Sequence, residues 1–285
     1  MAENPYAAPK THVEDAQHTL ADGDFLAAGR SVPAGNGWRW CTDAWGFTAE
    51  QRGTFIGVFV LYVLVSMAFG MVPLVGMLAS ALLTPVITGG LQSGFDAVRR
   101  GERLEVSCLF SAFQTHAGKL IAVGAVSLGI GILIGVIVIA ILGVSFFGVF
   151  SPGTEPTLEE LYSLVLPASL AVLVAIAVAL PLYMFLWFAV PLIVLGGLDV
   201  GAALKASFSG CLKNIVPFLV WSVVVLLLWV AVAIPPLVLW QAVGLVTAIV
   251  TYILLMIAWG LLLGPVLMVS VYLGYRDIFY DARLA

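Results

Sequence analysis

Ser80, Thr84, Thr88, Gln92 and Asp96 recur at four-residue intervals inside a stretch otherwise built mostly of Leu, Val, Ile, Ala and Gly. On a helix that step keeps all five on one face. Such a face admits two readings: a hydrophilic track from mid-membrane toward one surface, or the hydroxyl-lined seam that membrane helices use for close packing and interhelical hydrogen bonds. Packing is preferred, because that composition is ordinary at helix interfaces. Elsewhere, reactive side chains are sparse. Cys41, Cys108 and Cys211 show no CxxC or metal-ligand spacing, and His12, His18 and His116 are scattered, so a zinc site has little support. Ion-coupled carriers and intramembrane enzymes keep acids, bases or metal ligands within the membrane, and the long apolar runs here contain none. No Walker or Rossmann glycine loop is present. The expectation is a protein without catalytic residues, metal or cofactor.

The elements that must hold the polar line are membrane spans. The chain has 285 residues, 62% of them hydrophobic and only 10% charged, with a mean hydropathy of +1.10. Soluble domains carry about 25% charge. Residues 53–95, 120–154, 161–198 and 214–275 lack any Asp, Glu, Lys or Arg. One crossing needs about 20 residues, so the first and last runs each hold two helices, divided at Gly70-Met71-Val72-Pro73 and at Ile234-Pro235-Pro236, where proline removes a donor. Pro167, Pro181 and Pro191 are the expected kink points of the fourth helix. The fold class is therefore all-α: a polytopic membrane bundle of six transmembrane helices.

Orientation follows from the basic residues, which are retained on the cytoplasmic side. All twelve Lys and Arg fall in the N-terminal segment, the second-to-third and fourth-to-fifth connections, and the C-terminal tail. The longest opposite connection, Ser151 to Ser163, carries only Glu155, Glu159 and Glu160. Both termini are expected in the cytoplasm. The net charge of −4 and the lack of a basic run argue against nucleic-acid binding. Residues 1–30 are polar, with five acidic residues and no apolar stretch, and are expected to form a disordered cytoplasmic tail rather than a secretory signal. An interfacial, Trp-rich segment follows at 31–52, then a transmembrane domain at 53–275 and a short tail at 276–285.

Three even-numbered helices carry a proline about ten residues before their polar exits, at Pro85, Pro191 and Pro265, which suggests three helical hairpins repeated in parallel orientation. Two connectors, 102–119 and 199–213, read as amphipathic helices on the inner surface. Trp38, Trp40 and Trp45 are expected as headgroup-level anchors. Ser127, Gly131 and Gly135, and Gly260 with Gly264, read as close-packing ridges, and Gln241 beside Trp240 as interfacial. Arg99, Arg100, Arg103, Lys205, Lys213, Arg276 and Asp277 form the candidate cytoplasmic contact set. Asp96, Asp199, Lys213 and Asp277 sit at helix ends, where pairing with Arg99, Arg100, Lys205 or Arg276 accounts for them.

The segment Val32-Pro33-Ala34-Gly35-Asn36-Gly37-Trp38-Arg39-Trp40 with Trp45, the Pro85–Gly90 exit followed by Arg99-Arg100-Gly101-Glu102, Ala203-Leu204-Lys205-Ala206-Ser207-Phe208 through Lys213-Asn214, and Tyr275-Arg276-Asp277-Ile278-Phe279 together resemble a family of uncharacterised bacterial six-helix inner-membrane proteins. The likeness covers residues 32–280. That family is in turn distantly similar to the membrane domain of some glycerophosphodiester phosphodiesterases, although this chain lacks a phosphodiesterase domain. Thr48-Ala49-Glu50-Gln51-Arg52 departs from the pattern, which more often has a proline near the first span. The resemblance implies a bacterial inner membrane, six helices and no assigned activity. The leading expectation is a non-enzymatic scaffold or accessory protein that meets membrane lipids and a membrane or cytoplasmic protein partner through its cytoplasmic face. The alternative is a facilitator or lipid-handling transporter using the Ser80 to Asp96 face.

Overall fold

The computed structural model describes residues 23–149 and 157–281. The N-terminal tail up to residue 22, Glu155 with residues 150–156, and Arg283 in the last four residues lie outside the described part, as do the side chains of Glu160, Trp240 and Gln241. Eleven helices make up the described residues: α1 (Asn36–Phe47), α2 (Arg52–Gly70), α3 (Val75–Arg99), α4 (Cys108–Thr115), α5 (Ala117–Val149) and α6 (Leu158–Ser163). They continue as α7 (Val165–Leu186), α8 (Ala189–Val194), α9 (Val200–Lys213), α10 (Ile215–Val243) and α11 (Leu245–Phe279). Six of these stretches are long and apolar enough to cross a membrane, with α7 and α8 forming one interrupted span. The chain is a multi-pass, all-helical membrane protein.

The three pairs α2–α3, α5–α7 and α10–α11 each pack together as hairpins, and each is preceded by a short helix, α1, α4 or α9. Both amphipathic connectors are present as α4 and α9. The first hairpin turns where proline and glycine place it, between Gly70 and Val75. The third does not turn at Pro235-Pro236. Helix α10 runs through both prolines and ends at Val243, and the break falls at Gly244, whose φ of +90° suits glycine. A helix-interior proline costs about 3 kcal/mol. Opening the backbone inside hydrocarbon costs several kcal/mol for each unsatisfied group, so the turn is displaced to the next glycine.

The fourth span breaks between Pro181 and Pro191 rather than at either one. Ser207 of α9 inserts there: its hydroxyl donates to the Met184 carbonyl at 2.7 Å and accepts from the Phe188 N–H at 2.9 Å, replacing the helical bond those two groups would have made. Side-chain insertion into the ladder is a recognised cause of helix interruption. The inserted hydroxyl thereby aims the short α8 inward, where Ala189, Val190, Pro191, Leu192 and Ile193 are all buried.

The protein core occupies one half of the bundle, the end that carries the described basic residues. There α3 is the central helix, buried from Val86 to Asp96 save for Thr88 and Ser93. Phe188 packs on Phe218, Tyr275 and Phe279, while Phe47, Phe55, Phe95 and Tyr272 form a second ring cluster. Each such pair adds about 0.5–1.5 kcal/mol beyond its buried area. Toward the other end the spans expose Leu, Ile and Val on most faces, as α5 does at Ile132, Leu133, Val136 and Ile139. Lipid tails are as apolar as leucine, so that half needs no protein core.

Gly131, Gly135 and Gly260 are not packing ridges, since a methyl group at any of them would meet open space. The close approach of α5 to α3 is made at Gly124, where a Cβ would come within 2.6 Å of the Ala81 carbonyl oxygen. Gly264 does serve as expected, lying against the Phe59 ring.

Candidate functional site at the charged end

Two buried or half-buried carboxylates organise the charged end. Asp96 Oδ1 accepts from the Tyr272 hydroxyl at 2.8 Å and from Arg99 Nε at 3.1 Å, and lies 3.9 Å from Arg276. Its other oxygen takes the Arg100 guanidinium. Helices α3 and α11 are thereby joined around one acid. Asp277 gathers a different set: Arg30 at 3.0 Å on one oxygen, with the Asn36 amide at 2.7 Å and the Trp40 indole N–H at 2.9 Å on the other. Its backbone carbonyl also accepts from Arg30 Nε at 2.7 Å.

These contacts fasten the N-terminal segment. Residues 23–30, assigned from sequence to a disordered tail, run beside the end of α11. Leu26 N–H bonds the Phe279 carbonyl, Arg30 N–H bonds Ile278, and Phe25 bridges Tyr280 in antiparallel fashion. Asn214 completes the clamp: its amide donates to the Arg30 and Gly210 carbonyls, and its oxygen accepts from Val32 N–H, all at 2.8 Å. Lys213 Nζ caps the Ala28 and Gly29 carbonyls. On the far side Gln51 accepts from Leu104 N–H at 2.8 Å and ties the turn before α2 to the one before α4.

Trp40 is therefore not a headgroup anchor. It is only 4% exposed and serves as a core ring with a polar handle on Asp277, whereas Trp38 and Trp45 are exposed. Trp45 carries the Arg52 guanidinium over its face at 4.1 Å. The contact set divides in the same way: Arg99, Arg100, Lys213, Arg276 and Asp277 make intramolecular bonds, while Arg103 and Lys205 are exposed and pair with no carboxylate among the described residues. Asp199 pairs with Lys119 at 2.6 Å rather than with Lys205. The Lys119 hydrogen bond, then its charge, hold Asp199 below the usual carboxylate range.

Along α3, Ser80 and Thr84 hydroxyls lie 3.5 Å apart and Thr88 reaches the Tyr62 hydroxyl of α2. The Ser80–Thr84 contact lies within α3, and the face crosses to α2 at Thr88. Gln92 is buried, and its Oε1 has no hydrogen-bond partner. The five residues share one face as the spacing requires, yet they touch different neighbours.

Burial raises the Cys41 and Cys108 thiols to about 11 and Cys211 to about 12. A raised value keeps the thiol protonated at neutral pH, so alkylation of Cys41 by iodoacetamide at pH 7.5 should be about 100-fold slower than for an ordinary cysteine. Rates should climb as pH rises toward the shifted value. Fast labelling of the folded chain would contradict the burial of α1 against its neighbours. No group of three or more His, Cys, Asp or Glu able to hold a metal occurs among the described residues.

Sequence reasoning missed Arg30, Asn36, Ser207 and Asn214, and singled out Trp40 in a different role. A usable signal existed for Asn214, an amide at the junction of a charged connector and an apolar span, where only a satisfied amide can be buried. No known family, curated protein or solved structure matches the chain.

Proposed function

We propose that the chain is a non-enzymatic bacterial inner-membrane protein, with both termini cytoplasmic, whose charged end meets lipids or a protein partner. The observation that carries this reading is the asymmetry of the bundle: core, polar clamps, residues 23–32 and the end of α11 are gathered at one end, while the remaining half presents apolar side chains suited to lipid. The described basic residues fall at the same end, in line with retention of Lys and Arg on the cytoplasmic side. The bacterial setting is carried over from the sequence motifs within residues 32–280 alone.

Among the described residues, the exposed cations Arg39, Arg103 and Lys205 pair with no carboxylate and can meet a partner. Native mass spectrometry of the chain in a gentle membrane mimetic should recover a stoichiometric protein that is lost on Arg39→Glu/Lys205→Glu. One selectively retained metabolite, with no protein, would turn the reading to a transporter. That second reading draws on the unpartnered Gln92 oxygen. It requires Thr84→Val/Thr88→Val to abolish flux in proteoliposomes without loss of expression, whereas a loss of stability alone would leave these threonines as packing groups.

A further inference from the structure

A groove of about 580 Å³ opens between the last turns of α3, the turn leading out of it and α4. That volume lies within the usual range for small-molecule sites. Its walls carry opposite charges with a division of labour. Arg103 is exposed and unpaired among the described residues, a planar donor matched to phosphate. Glu102 and Glu105 supply carboxylates: Glu102 holds Arg100 through Oε1 at 3.1 Å, and Glu105 takes the Ser107 hydroxyl on Oε2 at 2.9 Å, so each keeps accepting capacity on its other oxygen.

The same helix carries an apolar lip. Val106, in the turn entering α4, and Phe110 and Phe113 within it follow one another at steps of four and three residues, which aligns them along one side. They are 46%, 48% and 39% exposed, while Leu109 and Ala112, on the flank turned toward the bundle, are buried. A short helix lying at the end of a membrane span with exposed aromatic rings is the arrangement of an interfacial helix. A soluble zwitterion would have no use for that lip.

We infer that the groove holds the headgroup of a zwitterionic phospholipid with a primary ammonium, its phosphate on Arg103, its ammonium on Glu102 and Glu105, and its acyl chains along Val106, Phe110 and Phe113. This names the lipid class for the proposed reading that the charged end meets lipid, and it rests on that reading. A purely anionic lipid would set its charge against two carboxylates, and a trimethylated ammonium would have no N–H to give them.

The full chain is placed in phosphatidylcholine nanodiscs doped with equal small fractions of phosphatidylethanolamine and phosphatidylglycerol, and the lipids retained in native mass spectrometry are counted. One phosphatidylethanolamine should be retained, enriched about fivefold or more over the bulk ratio, as two charge-assisted contacts warrant. Arg103→Gln and Glu105→Gln should each return the ratio to that of the bulk, without a change in thermal unfolding, since both side chains are exposed. Lys205→Gln should leave the enrichment intact. Enrichment of phosphatidylglycerol instead, no enrichment, or enrichment indifferent to both groove variants would overturn the assignment. Loss of a protein partner on Arg39→Glu/Lys205→Glu reports on the other surface and is read separately.

Discussion

Asp96→Ala should destabilise the chain by about 3–5 kcal/mol, the usual cost of removing one partner from a buried ion pair. The carboxylate is the shared acceptor of Tyr272, Arg99 and Arg100 and faces Arg276. Without it, guanidinium groups on α3 and α11 confront one another in a region that water reaches poorly, and the Tyr272 hydroxyl loses its acceptor. Asp96→Asn should cost less, because an amide oxygen still accepts from Tyr272. Glu102→Ala removes an exposed partner of Arg100 and should cost no more than about 1 kcal/mol. Unfolding in a lipid mimetic, by heat or by denaturing detergent, ranks the three. Near-equal effects of Asp96→Ala and Glu102→Ala would mean that α3 and α11 are not held together through this acid.

The features legible in the sequence are those set by local composition. Charge-free run lengths fix the number of spans, the Gly70–Pro73 punctuation fixes the first outer turn, and the mixed character of 102–119 and 199–213 marks α4 and α9. The features that were not legible depend on partners far away in the chain. Arg30 and Asp277 are 247 positions apart, and nothing near either residue indicates the other. Polar composition made residues 23–30 look like tail, yet their backbone groups find acceptors on α11 and their carbonyls find Lys213 and Asn214. The break in the fourth span belongs to a hydroxyl 19 positions beyond Phe188, so proline positions could not locate it. Small residues were ambiguous for a related reason: glycine at a lipid-facing position and glycine under a crossing helix look the same in sequence. The polar face of α3 was recognisable as a face from its spacing, but its neighbours were not.

Gly90→Ala should destabilise the chain even though alanine is the better helix former by about 0.8–1.0 kcal/mol. Helix α4 begins directly over this residue. A Cβ at Gly90 would overlap the Cys108 carbonyl oxygen and would lie 2.8 Å from the Leu109 oxygen and 2.9 Å from its carbonyl carbon. All three atoms are backbone, so relief requires the whole short helix to move. Gly90→Leu should cost about 3 kcal/mol or more, at the upper end for overpacked interiors. Gly131, with nothing near its added methyl, provides the opposite sign: Gly131→Ala should be neutral or stabilising. The two alanine variants share chemistry, helix context and membrane, and differ in what stands over the methyl group. A second signal should accompany the first. Lifting α4 uncovers Cys108, whose thiol is kept protonated by burial foremost and by Glu105 next, so its alkylation should accelerate in Gly90→Ala while that of Cys211 does not. The same movement opens the groove between α3 and α4, and phosphatidylethanolamine retention should fall with it. If Gly90→Ala instead behaves like Gly131→Ala, α4 does not rest on α3 at this point, and the lipid groove bounded by those two helices loses its wall.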